Sequence, residues 1–290
     1  MHEPVQLCIT PSLLEAADRL IDQDLAEDVG PGDITTEALV PSEATGRARI
    51  EARAPVVVAG LFAALRVFTR LDDRVHTLER VAEGAGVEPG GVVARLAGPV
   101  RALLTGERLA LNLLCRLSGV ATLTRQYVEA LRGCPARLLD TRKTTPGLRA
   151  LEKFAVRAGG GHNHRIGLFD GILVKDNHIA ACGGVAPAVR RLRALQHLPN
   201  LKIEVECKTL PEVIEAIEAG ADILLLDNMD LGTLRQAVTL VRHRVPTEAS
   251  GGITLDNIRA VAQTGVDFIS VGALTHSAPA ANLSMEMESE

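Results

Sequence analysis

The chain of 290 residues has no Trp, one Tyr and five Phe, so aromatics make up only 2%. A protein that grips single-stranded nucleic acid stacks bases on such rings. It also has no excess of positive charge: 31 Lys and Arg stand against 36 Asp and Glu, for a net charge of -5. No global basic field exists to hold DNA or RNA, and any anion site must be local. The five cysteines (Cys8, Cys115, Cys134, Cys182 and Cys207) are scattered and form no CxxC pair. That usage fits a reducing compartment rather than a disulfide framework. No apolar stretch approaches the roughly 18 residues of a membrane span. Glu3, Glu15 and Asp18 interrupt any N-terminal signal-like run. A soluble cytoplasmic enzyme is the expectation.

What is abundant is aliphatic. Hydrophobic residues reach 47%, enough for one large domain or two modest ones. Residues 11–28 carry helical spacing, with Ser12 as cap and Glu15 three later. The stretch EDVGPGDITTEALVP, rich in turn formers, reads as a solvated loop. Residues 44–61 read as a strand pair, 60–71 as a helix and 75–100 as two or three more strands with tight turns. The first hundred residues therefore predict a mixed α+β domain with an antiparallel sheet. Residues 105–131 carry one long helical pattern, which Ser118-Gly119 should break or bend.

After Cys134 the pattern changes. Short apolar runs recur at 137–139, 172–174, 203–205, 223–226, 247–249 and 268–271, with helices expected at 211–219, 231–242 and 255–264. This repetition predicts parallel strands joined by crossovers. No GxGxxG opens a βα unit, and the residues after each run vary, which favours a barrel over an open dinucleotide-binding sheet. Residues 276–290 are too few for another βα unit and should return to the first domain.

Functional residues of parallel α/β folds sit at the C-terminal ends of the strands. Those ends are Thr141-Arg142-Lys143, then Lys175 with Asn177, then Glu206 and Lys208, then Asp227-Asn228, then Ser250-Gly251-Gly252, then Gly272. A glycine triplet, Gly159-Gly160-Gly161, leads into His162-Asn163-His164-Arg165. The triplet alone reads equally as a flexible turn. His162 and His164 have no third close ligand, so zinc is not expected. Cations lead, carboxylates follow and glycine amides close the series. That order suits a highly anionic substrate with phosphate taken by the late glycine-rich loops.

These segments carry a resemblance. DTRKTTPGLRALEKFAVRAGGGHNHRIGLFDGILVKDNHI, with EDVGPGDITT, GERLALNLLCRLSGVAT, EVE, LLLDN, SGGI and SVGALTHS in order, resembles the quinolinate phosphoribosyltransferases over nearly the whole chain. The resemblance implies an N-terminal α+β sandwich (1–117 with 275–290) and an incomplete TIM-like α/β barrel (118–274). It implies transfer of phosphoribose from phosphoribosyl pyrophosphate to quinolinate with loss of CO2, in de novo NAD biosynthesis. It implies Mg2+ and a homodimer, with Arg108 entering the partner's site. By the same resemblance Arg142, Lys143, His164, Arg165 and Lys175 surround the dicarboxylate and phosphates. Glu206 and Asp227 hold the ribose hydroxyls or Mg2+. Ser250-Gly251-Gly252 and Val271-Gly272-Ala273 take the 5′-phosphate. Lys143, Lys175, Glu206 and Asp227 are then the catalytic candidates. Two other readings stand beside it: a molybdenum-transport-associated paralogue acting on another substrate, and a non-catalytic binding protein on the same scaffold. The intact TRKTTPG segment weighs against the first, and the intact charged set against the second.

Overall fold

The structure, a computed structural model, describes residues 7–195 and 201–288. Its contacts form two compact units: residues 1–125, 144–160 and 274–290 in one, residues 126–143 and 161–273 in the other. This division by packing is not contiguous in sequence.

The first unit opens with α1 (Pro11–Asp28) and α2 (Ile34–Leu39). The cap of α1 is Thr10 rather than Ser12: its hydroxyl accepts from Leu13 N at 3.2 Å. Pro11 sits at the first helical position, where its missing N–H costs nothing. The expected loop at 27–41 instead contains α2, because Asp33 caps Thr36 N at 3.0 Å. Then come β1 (Thr45–Ala52), β2 (Val56–Val57), α3 (Leu61–Leu71), β3 (His76–Arg80), β4 (Gly86–Val87) and β5 (Val92–Pro99). Alternation along β1 places Ala48, Ile50 and Ala52 in the core.

Helix α4 (Val100–Ala130) follows and is unbroken through Ser118-Gly119. That pair serves packing rather than bending. Ser118 Oγ accepts from Ala59 N at 3.1 Å, and a Cβ at Gly119 would stand 2.0 Å from Pro279 O.

In the second unit β6 (Arg137–Leu139) comes first. The chain then contributes α5 (Arg149–Ala158) to the first unit before returning with β7 (Ile172–Val174), α6 (Asp176–Cys182) and α7 (Val185–Arg193). The rest alternates: β8 (Ile203–Cys207), α8 (Leu210–Glu218), β9 (Ile223–Asp227), α9 (Leu231–Val241), β10 (Thr247–Ser250), α10 (Ile258–Ala262) and β11 (Phe268–Ser270), after which α11 (Ala273–His276) starts at the last residue of this unit and otherwise belongs to the first. The six strands form one all-parallel sheet in the order β6-β11-β10-β9-β8-β7. The edge strands β6 and β7 do not pair with each other, yet residues on or just after all six strands line a single cavity. The sheet is thus curled into an incomplete α/β barrel. The final strand β12 (Leu283–Glu288) pairs antiparallel with β1, giving a four-stranded sheet β12-β1-β5-β3. The chain end therefore returns to the α+β unit, as its length required.

The glycine triplet is more than a flexible turn. A Cβ at Gly159 would lie 2.5 Å from Ala121 O, and Gly160 has φ +96°. Both positions need glycine, one for close approach and one for its backbone.

Candidate active site

The strands of a parallel sheet are buried on both faces and normally carry only apolar side chains. Here Asp140, Glu204 and Glu248 are buried on or beside them. Such groups persist only when paired. Asp140, directly after β6, accepts from Asn163 Nδ2 at 2.6 Å and from His164 N at 2.8 Å. Asp140 N also donates to His162 O at 3.1 Å, while His162 N donates to Leu138 O at 2.9 Å. The His162–Arg165 loop is thereby stitched to the end of β6. His162 serves this through its backbone, and His164 reaches the cavity.

His164 has both ring nitrogens engaged. Nδ1 accepts from Arg165 N at 2.7 Å, which puts the ring proton on Nε2. Nε2 stands 3.0 Å from Glu204 Oε2 and 3.7 Å from Glu248 Oε2. Among the described residues, His164, Glu204 and Glu248 form the one group of three ligand-type side chains whose atoms lie within 4.8 Å of one another. Burial, reinforced by the charge of Glu204, pushes the Glu248 carboxyl up to about 8. It is then a neutral acid at pH 7.

One cavity of about 150 Å³ gathers the strand-end residues. Thr141, Arg142, Lys143, His164, Arg165, Lys175, Glu206, Asp227 and Ser250 all line it, with Glu248 and Ser270 among them. Arg165 donates from Nη1 to Gly171 O at 2.9 Å. Burial and then the neighbouring Arg142 charge pull its pKa down, against the pull of Glu204 and Asp170. Burial raises the Glu206 acid, followed by the charges of Asp227 and Asp176, while Lys175 and Lys208 oppose. Lys208 itself is held by Asp176 at 2.6 Å. Asn177 is exposed on the first turn of α6.

The late loops are shaped by backbone. Asn228 takes φ +52° and donates from its N–H to Ser250 O at 2.8 Å. Gly251 has φ +93°, and a Cβ there would stand 2.2 Å from Asn228 Oδ1. Gly252 has φ +62°. The helix expected from Leu255 begins only at Ile258 and has five residues. A turn fastened by Asn257 precedes it, with Thr254 N donating to Asn257 Oδ1 at 2.8 Å. Val271 is buried and donates from its N–H to Leu139 O at 3.0 Å. Gly272 and Ala273 follow it into α11. Gly251, Gly252, Val271, Gly272 and Ala273 do not line the cavity. Arg108 is exposed on α4 and does not line it either.

Three groups were missed from sequence: Asp140, Glu204 and Glu248. Two of them follow from period two. Glu204 stands two residues before Glu206 on β8, and Glu248 two before Ser250 on β10, so each shares the inward face of its strand-end partner. The thiols take no part. Cys207 is buried and its pKa is pushed up to about 12, chiefly by burial. A larger groove of about 680 Å³ in the first unit, beside Arg47, Arg74 and His76, gathers no comparable set, and Arg74 is already paired with Asp72 at 2.7 Å.

Comparison with known proteins agrees with this architecture. The model of the quinolinate phosphoribosyl transferase N-terminal domain matches residues 33–118, and that of the C-terminal domain residues 120–286. A probable nicotinate-nucleotide pyrophosphorylase [carboxylating] of Synechocystis sp. is 49% identical over 284 residues, covering 97% of this chain and 95% of that one. A probable enzyme of the same name from Bacillus subtilis is 45% identical, covering 93% and 92%. Among solved structures, the nicotinate-nucleotide pyrophosphorylase from Francisella tularensis superposes with a TM-score of 0.90 at 39% identity, covering 98% of this chain and 99% of that one. Sequence, fold and site converge, and the chain belongs to the quinolinate phosphoribosyltransferase family.

Proposed function

We propose that the protein transfers phosphoribose from phosphoribosyl pyrophosphate to quinolinate and decarboxylates the product, giving nicotinate mononucleotide, pyrophosphate and CO2. The observation that carries the reading is one cavity at the C-terminal ends of six parallel strands, holding Arg142, Lys143, Arg165 and Lys175 together with Glu206 and Asp227. Quinolinate brings two carboxylates, and the sugar donor brings several phosphate charges. Arginine forks match such oxygens in two places at once, and lysines add point charges. The pyridine nitrogen attacks C1 of the ribose as the C1–O bond to pyrophosphate breaks. Positive charge develops on the sugar, and the carboxylates of Glu206 and Asp227 favour it. The alkylated ring is a cation, so it accepts the electron pair left when the C2 carboxylate departs as CO2. A proton then restores C2–H.

Glu206 and Asp227 fit a divalent cation, because the Asp227 charge adds to burial in raising the Glu206 carboxyl, a repulsion that a cation would relieve. Mg2+ held there, directly or through water, would neutralise the departing pyrophosphate. Substrate oxygens would complete its shell, since these two acids belong to no group of three ligands among the described residues.

A homodimer is part of the reading. Ile34 is 85% exposed and Leu39 77% on α2, and Leu168 is 73% and Phe169 79% exposed after the His162–Arg165 loop. Apolar side chains exposed to this degree suit a subunit interface. Arg108 makes no hydrogen bond or ion pair with the described residues of its own chain, as suits a cation used by the neighbour. No described helix is long and apolar enough to cross a membrane.

The test is product formation with quinolinate and with nicotinate, each with phosphoribosyl pyrophosphate and Mg2+. Quinolinate should be converted. Nicotinate should not, because a single ring carboxylate leaves part of the cation set unpaired at a cost of several kcal/mol. Efficient conversion of nicotinate would overturn the assignment.

A further inference from the structure

The buried acids beneath the cavity are expensive, and the fold alone does not need them. Glu204 is 5% and Glu248 2% exposed, and the Oε1 atoms of both are buried without a hydrogen-bond partner. Aliphatic side chains would fill the same inward positions at lower cost. Their outer neighbour is His164, at hydrogen-bond distance from Glu204. We propose that Glu204, backed by Glu248, is a positioning residue: it orients the imidazole of His164 and, through it, the substrate-binding Arg165.

The chain of contacts is short. Glu204 Oε2 accepts from His164 Nε2–H at 3.0 Å. The ring so oriented presents Nδ1 as an acceptor, which takes the Arg165 N–H at 2.7 Å. The Arg165 side chain is fixed a second time by Gly171 O at 2.9 Å. Arg165 therefore enters the cavity with its backbone and its guanidinium both constrained. The charge of Glu204 also faces Arg165 and helps hold it as a cation beside Arg142. Glu248 lies against Glu204 and Ser270 and closes the group from β10. His164 in this state is a neutral ring whose two nitrogens are both engaged, not a fifth cation for the substrate beside Arg142, Lys143, Arg165 and Lys175.

The same three side chains have the ligand types of a zinc site, and a shared proton explains them better. The 3.0 Å separation of Nε2 and Oε2 suits a hydrogen bond, whereas two ligands each about 2.0–2.2 Å from a tetrahedral ion stand farther apart. Two guanidinium groups already line the same cavity, so a divalent cation would add to an existing positive field.

The inference rests on the proposed quinolinate reading, and its test separates the two. Quinolinate and phosphoribosyl pyrophosphate KM values are measured for wild type, Glu204→Ala and Glu204→Gln. The Ala variant should raise the quinolinate KM by about tenfold or more and leave the other KM within about twofold. Gln keeps an oxygen acceptor for Nε2–H and should recover most of that loss. Independently of activity, the full-length protein labelled with ¹⁵N-histidine should show His164 as a neutral Nε2–H ring, its signal identified by its loss in His164→Gln. The inference is overturned if both KM values rise together, if Gln is no better than Ala, or if His164 is an imidazolium or an Nδ1–H ring. One zinc ion per chain in metal analysis overturns it too. If Ala fails to fold, the Gln kinetics and the wild-type spectrum still decide. If the wild type does not convert quinolinate at all, the functional reading has failed, and the spectrum still tests the geometry.

Discussion

Glu248→Gln should stabilise the protein, and increasingly so as pH rises from 5 to 8. The wild-type carboxyl is 2% exposed, and burial with the Glu204 charge raises its pKa from 4.5 to about 8. In the unfolded chain the same group ionises near its ordinary value. Below about pH 4.5 both states hold the proton and the burial costs nothing electrostatic. Between 4.5 and 8 the folded state keeps a proton that the unfolded state releases, so stability falls by ~1.4 kcal/mol per pH unit. Above the folded pKa the loss is complete, on the order of 5 kcal/mol. Gln mimics the neutral acid in shape and never ionises, so this slope should vanish. Other titrating groups are common to both proteins and cancel in the difference. Thermal melts at pH 5, 6, 7 and 8 read it directly. The two Tm values should nearly coincide at pH 5 and separate by ~5–10 °C at pH 8, Gln higher. A difference that does not change with pH, or a variant less stable at pH 8, would refute the reasoning.

The remaining predictions concern charge elsewhere. Lys143→Ala and Lys175→Ala should each lower kcat/KM by at least about a hundredfold, on the order of 3 kcal/mol, with little change in Tm because both lysines are exposed. Near-wild-type activity in either would remove that lysine from the site. Glu152→Ala should cost about 3–5 kcal/mol of stability, read by denaturant unfolding. Its fully buried carboxylate accepts from Arg116 Nη2 at 2.7 Å, Thr145 N at 3.0 Å and Thr145 Oγ1 at 2.8 Å, and a cost under about 1 kcal/mol would contradict this. Arg108→Ala and Lys143→Ala, each nearly inactive alone, should regain about a quarter of wild-type activity after dissociation and mixing. A site shared across a twofold axis leaves one intact site in each mixed dimer. No recovery, with subunit exchange shown separately, would place Arg108 in its own subunit's chemistry.

Much of this was legible in the sequence, and the failures have physical causes. All six barrel strands were readable because buried parallel strands are short apolar runs bounded by turn formers. The strand-end rule then brought seven predicted site residues to one cavity, and the loop after the glycine triplet added His164 and Arg165. It failed one layer down, because reading only the last residue of each strand hides Glu204 and Glu248, two residues earlier on the same face. Local signals also lost to tertiary contacts. Ser118-Gly119 looked like a helix break and is a packing seat. The turn-rich stretch before Pro41 contains a helix because Asp33 caps it and also accepts from Thr105 Oγ1 at 3.0 Å. Lys153, on α5, is 3% exposed, so its substitution tests the fold rather than the site.

The central claim is tested most directly by one stoichiometry. Quinolinate labelled in its 2-carboxylate is supplied with phosphoribosyl pyrophosphate and Mg2+, and labelled CO2, pyrophosphate and nicotinate mononucleotide are counted as the reaction proceeds. The account predicts that the three appear one for one, with no CO2 when phosphoribosyl pyrophosphate is left out, because the ring becomes an electron sink only once its nitrogen carries the ribose. CO2 release without the sugar donor, or pyrophosphate release with the 2-carboxylate retained in the final product, would contradict it.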